Sequence, residues 1–191
     1  MSWEEVSAIS TFVTMIVIGA SAIAALIQLR HMRAGNAISG FIGMMDKWSS
    51  PEARRVQNYV FGGELDRKLA DADYRKGLTA TLIDRLAHPE VAYLDFWESI
   101  GMLNKLGYFP EDAFMESGGP NCLRAWEKLE PVVAIIRRSR GPQAYDNFEY
   151  LASRVIIWDA KHPDGLFPRH TPHLPVVDKF KDDVSGSANV T

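Results

Sequence analysis

The stretch that decides the fold is VSAISTFVTMIVIGASAIAALIQL, residues 6–29. It contains no Asp, Glu, Lys or Arg. About 20 consecutive, mostly apolar residues are enough for a helix to cross the hydrocarbon core of a bilayer. The stretch therefore predicts a single membrane-spanning helix at the N-terminus, with the lipid bilayer as its surroundings.

Two other interpretations of this stretch are open. A secretory signal has a shorter apolar part, a basic stretch before it and small residues at its cleavage site, whereas Gln28, Leu29 and Arg30 end this one. A buried helix of a soluble protein usually shows a polar stripe, whereas this stretch has only Ser, Thr and one Gln as polar residues. The membrane span fits the residues best.

The charges at the two ends of the span predict its orientation. Glu4 and Glu5 precede it, and Arg30 and Arg33 follow it. Because Lys and Arg near a span stay on the cytoplasmic side, we expect the N-terminus outside and the chain from about residue 34 in the cytoplasm.

One part of the span consists of small residues, which let two membrane helices approach closely when they are four apart. This spacing also arises by chance. The predicted contact, with a second copy of the chain or with another membrane protein, involves Gly19, Ala20, Ser21, Ala24 and Ala25.

Composition limits the rest of the chain. The 191 residues have a formal net charge of −3, so there is no broad basic surface and nucleic acid is not expected as a partner. Cys122 is alone, which excludes a disulfide framework and fits a reducing compartment. The basic cluster around Arg137 and Arg138 follows an apolar helix, where cations favour the helix C-terminus.

Apolar residues recur at helical spacing along the chain, and no alternating strand pattern is present. We predict an all-α fold: a single N-terminal transmembrane helix, a small helical bundle and an extended C-terminal tail. Gly35, Gly40 and Gly43 predict either a closely packed continuation of the first helix or a bent entry to the bundle. The helices predicted after it span residues 51–61, 71–88, 90–106, 111–115, 121–138 and 143–161.

Gly and Pro residues set the boundaries. Gly118, Gly119 and Pro120 predict a break, and Pro131 predicts a kink or a division. The predicted domains are a membrane anchor over 1–33, a cytoplasmic helical domain over 34–161, and a Pro-rich extended tail over 162–191.

Several short motifs resemble those of the bacterial family called domain of unknown function 4760. The resemblance implies a single N-terminal span and a cytoplasmic helical domain, hence a bacterial inner (plasma) membrane, but no activity and no catalytic residues. The motifs are WEE at 3–5, QLRHMR at 28–33, WSSPE at 48–52, FWE at 96–98, LRAWEKLEP at 123–131, RG at 140–141 and NFEYLA at 147–152.

Catalytic and metal-binding patterns are weak. His162, Asp164, His170 and His173 lie in a Pro-rich segment with little to fix them as zinc ligands. The carboxylate pairs at 95 and 98 and at 127 and 130 lack the Glu-x-x-His of di-iron bundles, so we expect them on solvated faces or paired with Arg124 and Lys128. Phosphate-loop and nucleophile-elbow motifs are missing from the sequence. We predict no cofactor, no metal and no enzymatic activity.

The polar residues around Phe148 are the remaining candidates. They are either a network that fixes helix register or a docking patch made of Arg137, Arg138, Asn147, Glu149 and Tyr150.

These features favour a membrane-anchored accessory, scaffold or regulatory protein that binds another membrane or cytoplasmic protein, or itself. The alternative is a membrane-tethered sensor or enzyme with a small-molecule pocket among Trp97, Trp126 and Asn147.

Overall fold

The computed structural model describes residues 2–108, 110–168 and 170–179, apart from the side chains of Glu5, Arg33, Ala34 and Ala37. Every regular element in these residues is a helix, as the spacing of apolar residues predicts. The helices are α1 (Trp3–Ser49), α2 (Pro51–Phe61), α3 (Glu64–Leu69), α4 (Ala72–Gly77), α5 (Glu90–Lys105), α6 (Glu111–Arg140) and α7 (Asp146–Lys161).

Helix α1 has 47 residues and is therefore about 70 Å long. Its segment Val6–Met32, with a mean hydropathy of 2.2 and none of the span buried, is the one helix of the described residues long and apolar enough to cross a membrane. The helix continues through the expected domain boundary at residues 33–34. The chain continues as helix through Gly35, Gly40 and Gly43, and no other part of the described chain lies within 4 Å of where their Cβ atoms would be, so the bundle does not pack closely there.

The last turns of α1 pack against the bundle. Phe41, Met44 and Trp48 lie on one face of the helix and contact the core. The chain then turns at Ser50, whose hydroxyl accepts a hydrogen bond from the backbone N–H of Ala53 and so caps α2, with Pro51 at the first helical position. This start of α2 is confirmed.

Helices α5, α6 and α7 form the centre of the bundle. The rings of Trp97 and Phe148 stack at 5.7 Å, and Trp126 meets Phe148 edge-on at 5.1 Å. Helices α5 and α7 cross at Gly101, where the carbonyl of Asn147 occupies the place of a side chain.

The predicted helix over 71–88 is wrong beyond Gly77. The hydroxyl of Thr79 donates a hydrogen bond to the carbonyl oxygen of Lys76. The imidazole of His88 lies against Gly77, where a Cβ atom would overlap it. The chain therefore folds back on itself, so Leu82 and Leu86 are exposed in the loop instead of forming a helical stripe.

The predicted break at residues 118–120 is also wrong, as is a division at Pro131. Helix α6 contains both prolines, although a proline inside a helix costs about 3 kcal/mol. Burial of the flanking residues offsets this cost, since Phe114, Met115, Cys122 and Leu129 are all at most 2 % exposed. Helix α7 starts at residue 146 instead of 143.

The chain after α7 contains no helix or strand in residues 162–168 and 170–179, in agreement with an extended tail. Its apolar residues Leu174, Val176 and Val177 are exposed. The expected tail over 180–191 lies outside the described residues.

We predict that Gly101→Ala lowers the free energy of unfolding by about 1–3 kcal/mol, the usual cost of overpacking, because its methyl group would overlap the Asn147 carbonyl. Thermal melts of the detergent-solubilised chain would measure this. The control Gly43→Ala has open space around it and should not lower the melting temperature. Equal melting temperatures for both variants would contradict the crossing at Gly101.

Candidate functional site

The joint between α1 and the bundle is an aromatic cluster. The indole of Trp48 contacts the rings of Trp97, Phe96 and Tyr93 at centroid distances of 4.8, 5.3 and 5.7 Å. The ring of Phe96 also meets that of Trp97 edge-on at 5.3 Å. Because each contact has a preferred geometry, the cluster fixes how α1 is oriented relative to α5.

An apolar groove of about 180 Å³ opens beside this joint, between the end of α1, α2 and α5. Trp48, Val56, Tyr93 and Phe96 supply most of its apolar surface, and Lys47 and Glu52 are its charged residues. The groove is large enough for an apolar side chain of a partner or a small apolar molecule.

The predicted docking patch is divided by α7. Arg137 of α6 donates to the carboxylate of Glu149 at 2.6 Å and to the carbonyl of Ala144 at 2.9 Å. Asn147 and Tyr150 instead lie towards α5, where the ammonium of Lys105 is 3.5 Å from Asn147 Oδ1 and 5.8 Å from the centre of the Tyr150 ring. Arg138 is exposed. Four of the five residues thus form two groups, Arg138 belongs to neither, and their role in docking stays a prediction.

Asn147 contributes to the cap of α7. The carboxylate of Glu98 accepts one hydrogen bond from Asn147 Nδ2 at 2.8 Å and one from the backbone N–H of Phe148 at 2.9 Å. A carboxylate at a helix N-terminus also interacts favourably with the helix dipole. The side chain of Glu98 therefore stabilises the N-terminus of α7.

Asp95 also binds the chain at the start of α7, through Tyr145. It accepts hydrogen bonds from Arg85 at 2.6 Å and from the hydroxyl of Tyr145 at 3.1 Å, and Tyr145 has a left-handed backbone with φ 60° just before α7. The expected pairs with Arg124 and Lys128 are wrong for Asp95 and Glu98, because Asp95 pairs with Arg85, Glu98 binds the start of α7, and Lys128 pairs with Asp66.

A network of four polar side chains joins α2, α4 and the start of α5. The carboxylate of Glu90 is fully buried and accepts a hydrogen bond from the hydroxyl of Tyr74, which lies 2.8 Å from both oxygens. The buried imidazole of His88 is 3.2 Å from Glu90 Oε1. The hydroxyl of Tyr59 lies 2.8 Å from that of Tyr74.

The direction of each hydrogen bond in this network follows from Glu90, because a carboxylate can only accept hydrogen bonds. Since the Tyr74 proton is given to Glu90, Tyr59 donates to the Tyr74 oxygen, and His88 Nδ1–H donates to the carboxylate. Burial, together with the hydrogen bond that Tyr74 donates to Glu90, raises the pKa of Tyr74 far above its usual range, so Tyr74 is a donor and not a base. A buried charge needs such partners, and the network fastens α4 to the bundle.

Sequence reasoning missed this network. Tyr59, Tyr74 and Glu90 are far apart in sequence, and His88 with Pro89 looked like a helix end. The available signal was the order His-Pro-Glu at the start of α5, the most apolar helix of the bundle, since an acidic residue there is favoured by the dipole.

Two ligand sites were considered from the sequence: a pocket among Trp97, Trp126 and Asn147, and a metal site at the histidines of the tail. The structure supports neither. The ring of Phe148 lies between Trp97 and Trp126, so it occupies the space that the pocket hypothesis assigns to a ligand. In the tail, the imidazole of His173 stacks on Phe167 at 3.9 Å, and that of His162 lies tilted by 31° against the ring of Trp158, with centroids 4.4 Å apart. Within the described residues no group of three or more His, Cys, Asp or Glu could hold a metal ion.

The small residues of the span face outward. Gly19, Ala20, Ser21, Ala24 and Ala25 are exposed along α1, and no atom lies within 4 Å of the place of a Cβ on Gly19. The bundle does not cover this part of the helix, so its predicted contact requires another molecule.

We predict that Glu90→Gln lowers the free energy of unfolding by about 1–3 kcal/mol. The amide keeps the shape but has one acceptor oxygen for the donors Tyr74 and His88. The control Glu127→Gln changes an exposed carboxylate of α6 and should leave stability within about 0.5 kcal/mol. Denaturant titrations would compare them, and an unchanged midpoint for Glu90→Gln would disprove the role of the network.

We also predict that stability falls above about pH 10. Burial raises the pKa of Tyr59, Tyr74, Tyr93 and Tyr145, whereas tyrosines of the unfolded chain ionise near pH 10. The unfolded state therefore loses protons first, and the native state is favoured less as pH rises. Melting temperatures that stay constant from pH 9 to 11.5 would contradict this, and Tyr145→Phe should reduce the dependence.

Comparison with known families gives one match, to the family described as Domain of unknown function (DUF4760), over residues 15–155. No curated protein and no solved structure matches the chain. The matched residues begin inside the apolar part of α1 and end in α7, so they include the joint, the network of Glu90 and the cap of α7. Since the match covers well over half of the 191 residues, the chain belongs to the DUF4760 family.

Proposed function

We propose that the protein is a membrane-anchored accessory, scaffold or regulatory subunit whose helical bundle binds another protein. The observation that carries the proposal is the continuity of α1: one unbroken helix contains the apolar segment Val6–Met32 and the face that packs against the bundle. A single rigid element thus connects the bilayer to the folded domain.

This continuity favours an anchor over a cleaved leader. A leader peptidase cuts after small residues in an extended segment, whereas residues 28–33 are helical and contain Gln28, Arg30 and His31. Phe41 and Met44, shortly after this segment, pack against the bundle, so cleavage further on would remove part of the core.

The same helix sets the distance between the membrane and the bundle. Trp48 lies 16 residues after Met32, which corresponds to about 24 Å of helix. With Arg30 on the cytoplasmic side, the groove beside Trp48 is held at that height above the inner face of a bacterial plasma membrane, and the bundle begins nearer to it, at Phe41. The groove beside Trp48 is then presented to proteins that lie next to the membrane.

The groove indicates the chemistry of the partner. Its lining is almost entirely apolar, and apolar surface at the centre of an interface contributes most of the binding free energy. An apolar or aromatic side chain on a helix or loop of the partner suits this volume. The alternative is a tethered sensor that binds a small apolar molecule in the same groove.

Membrane extraction tests the anchor. We expect the chain to stay in the membrane fraction after an alkaline carbonate wash and to keep its 21.4 kDa mass. A soluble product shortened by about 3 kDa, the mass of the first 30 residues or so, would identify residues 6–29 as a cleaved leader. A reporter fused at residue 191 should be active on the cytoplasmic side, and outside activity would reverse the orientation.

A matched pair of substitutions tests the partner. Ala92 is exposed and lines the groove, whereas Ala134 is exposed on α6. After purification from native membranes, a partner bound by the wild type and by Ala134→Arg should be lost from Ala92→Arg. A partner kept by both variants would place the docking surface elsewhere, and a small molecule lost from Ala92→Arg would favour the sensor.

A further inference from the structure

A second apolar face runs along α1, separate from the face that contacts the bundle. Starting in the span, it recurs every three or four residues, so its members lie in one line along a helix with 3.6 residues per turn. Its residues are Ala20, Ala24, Ile27, His31, Gly35, Ile38, Ile42 and Met45, and we name this line the α1 stripe.

The part of the α1 stripe beyond the span is the unusual one. Ile38 and Ile42 are 56 % and 55 % exposed, and Met45 is 36 % exposed, although all three come after the span Val6–Met32 and lie where water surrounds the helix. Exposed aliphatic side chains in a row favour association with another apolar surface.

The bundle of the same chain leaves the α1 stripe uncovered up to Ile42, and only Met45 at its end also lines a small cavity with Phe96 and Phe114 of the bundle. The bundle contacts α1 through Phe41, Met44 and Trp48, and these positions are about 100° around the helix axis from the α1 stripe at 100° per residue. A partner can therefore approach the α1 stripe without displacing the bundle.

We infer that the α1 stripe is the contact between two copies of this chain, which form a parallel pair through α1. The inference rests on the proposed function, because membrane insertion fixes both copies in the same direction and at the same depth. Each residue of the α1 stripe then meets the same residue of the second copy, so Ala20, Ala24 and Ile27 meet their counterparts inside the bilayer, and Ile38, Ile42 and Met45 meet theirs outside it.

Two observations favour a second copy as the occupant. The α1 stripe contains no Asp, Glu, Lys or Arg from Ala20 to Met45, so self-pairing brings no like fixed charges together. It is also continuous over the 26 residues from Ala20 to Met45, about 38 Å of helix, half inside and half outside the span. A matching partner must be a straight helix that leaves the membrane along the same line, and a second α1 meets this requirement.

The spacing of the α1 stripe agrees with such a pair. Intervals of three and four residues that average close to 3.6 keep two helices in contact over several turns with little supercoiling. Ala20 and Ala24 have the spacing at which membrane helices approach most closely, and Gly35 allows the same close approach just outside the span.

Cysteine crosslinking in native membranes tests the inference. Ile38→Cys and Ile42→Cys lie on the α1 stripe, whereas the controls Asn36→Cys and Gly40→Cys are exposed on the opposite side of α1. The native Cys122 is fully buried, so the wild type gives the background. Two thiols oxidise to a disulfide when their Cα atoms come within about 7 Å, with loss of two electrons to copper phenanthroline and release of two protons.

We expect a product of twice the chain mass from Ile38→Cys and Ile42→Cys, with the controls about tenfold lower. Equal crosslinking on both sides of α1, or none on the α1 stripe, overturns the pair. A product of another mass assigns the α1 stripe to a different protein, which also overturns the pair but leaves the proposed function intact. A chain that the carbonate wash removes from the membrane overturns both.

A second measurement does not depend on disulfide formation. Native mass measurement in detergent should give the dimer for the wild type and for Gly40→Glu, and the monomer for Ile42→Glu, because the new carboxylates would face each other in an apolar contact. A wild-type monomer, or an Ile42→Glu dimer, overturns the pair.

Discussion

The packing of Phe41, Met44 and Trp48 against the bundle is the contact on which the other features depend. Without it, α1 would be an apolar helix joined to a small domain by a flexible segment. With it, the orientation of α5 and the direction of α1 are set together by the rings of Trp48, Tyr93, Phe96 and Trp97. The position of the groove relative to the apolar segment Val6–Met32 and the direction in which the α1 stripe faces both follow from this joint.

Sequence patterns predicted the parts of the fold that depend on residues close together in the sequence. The apolar stretch at residues 6–29, the start of α2 at Pro51 and the helix over Glu90–Lys105 follow from local rules of hydrophobicity and capping. The two main errors have one physical origin. At residues 118–120 and 131, burial against α5 and α7 outweighs the local cost of Gly and Pro, and at residues 78–88 the contact of His88 with Gly77 outweighs a favourable helical pattern.

The polar contacts could not be predicted for a related reason. Glu98 caps a helix that begins almost 50 residues later, and Glu90 is bound by Tyr74 from another helix. Such pairs depend on how the helices cross, which local spacing does not determine. Asn147 shows the difference: the sequence marks it as an unusual polar residue, but for Glu98 it predicts a solvated face or a pair with Arg124 or Lys128, and not the contact with Asn147.

The rigidity of α1 has a consequence for how the length of the chain can vary. Each residue of a helix adds about 1.5 Å of length but about 100° of rotation. Inserting one residue between Arg30 and Phe41 would barely change the height of the bundle, yet it would turn the groove by more than a quarter of a circle relative to the span. The number of residues between the span and the bundle therefore affects the rotation of the groove about the helix axis much more strongly than its distance from the span. Insertions of seven residues, close to two full turns, change that rotation least.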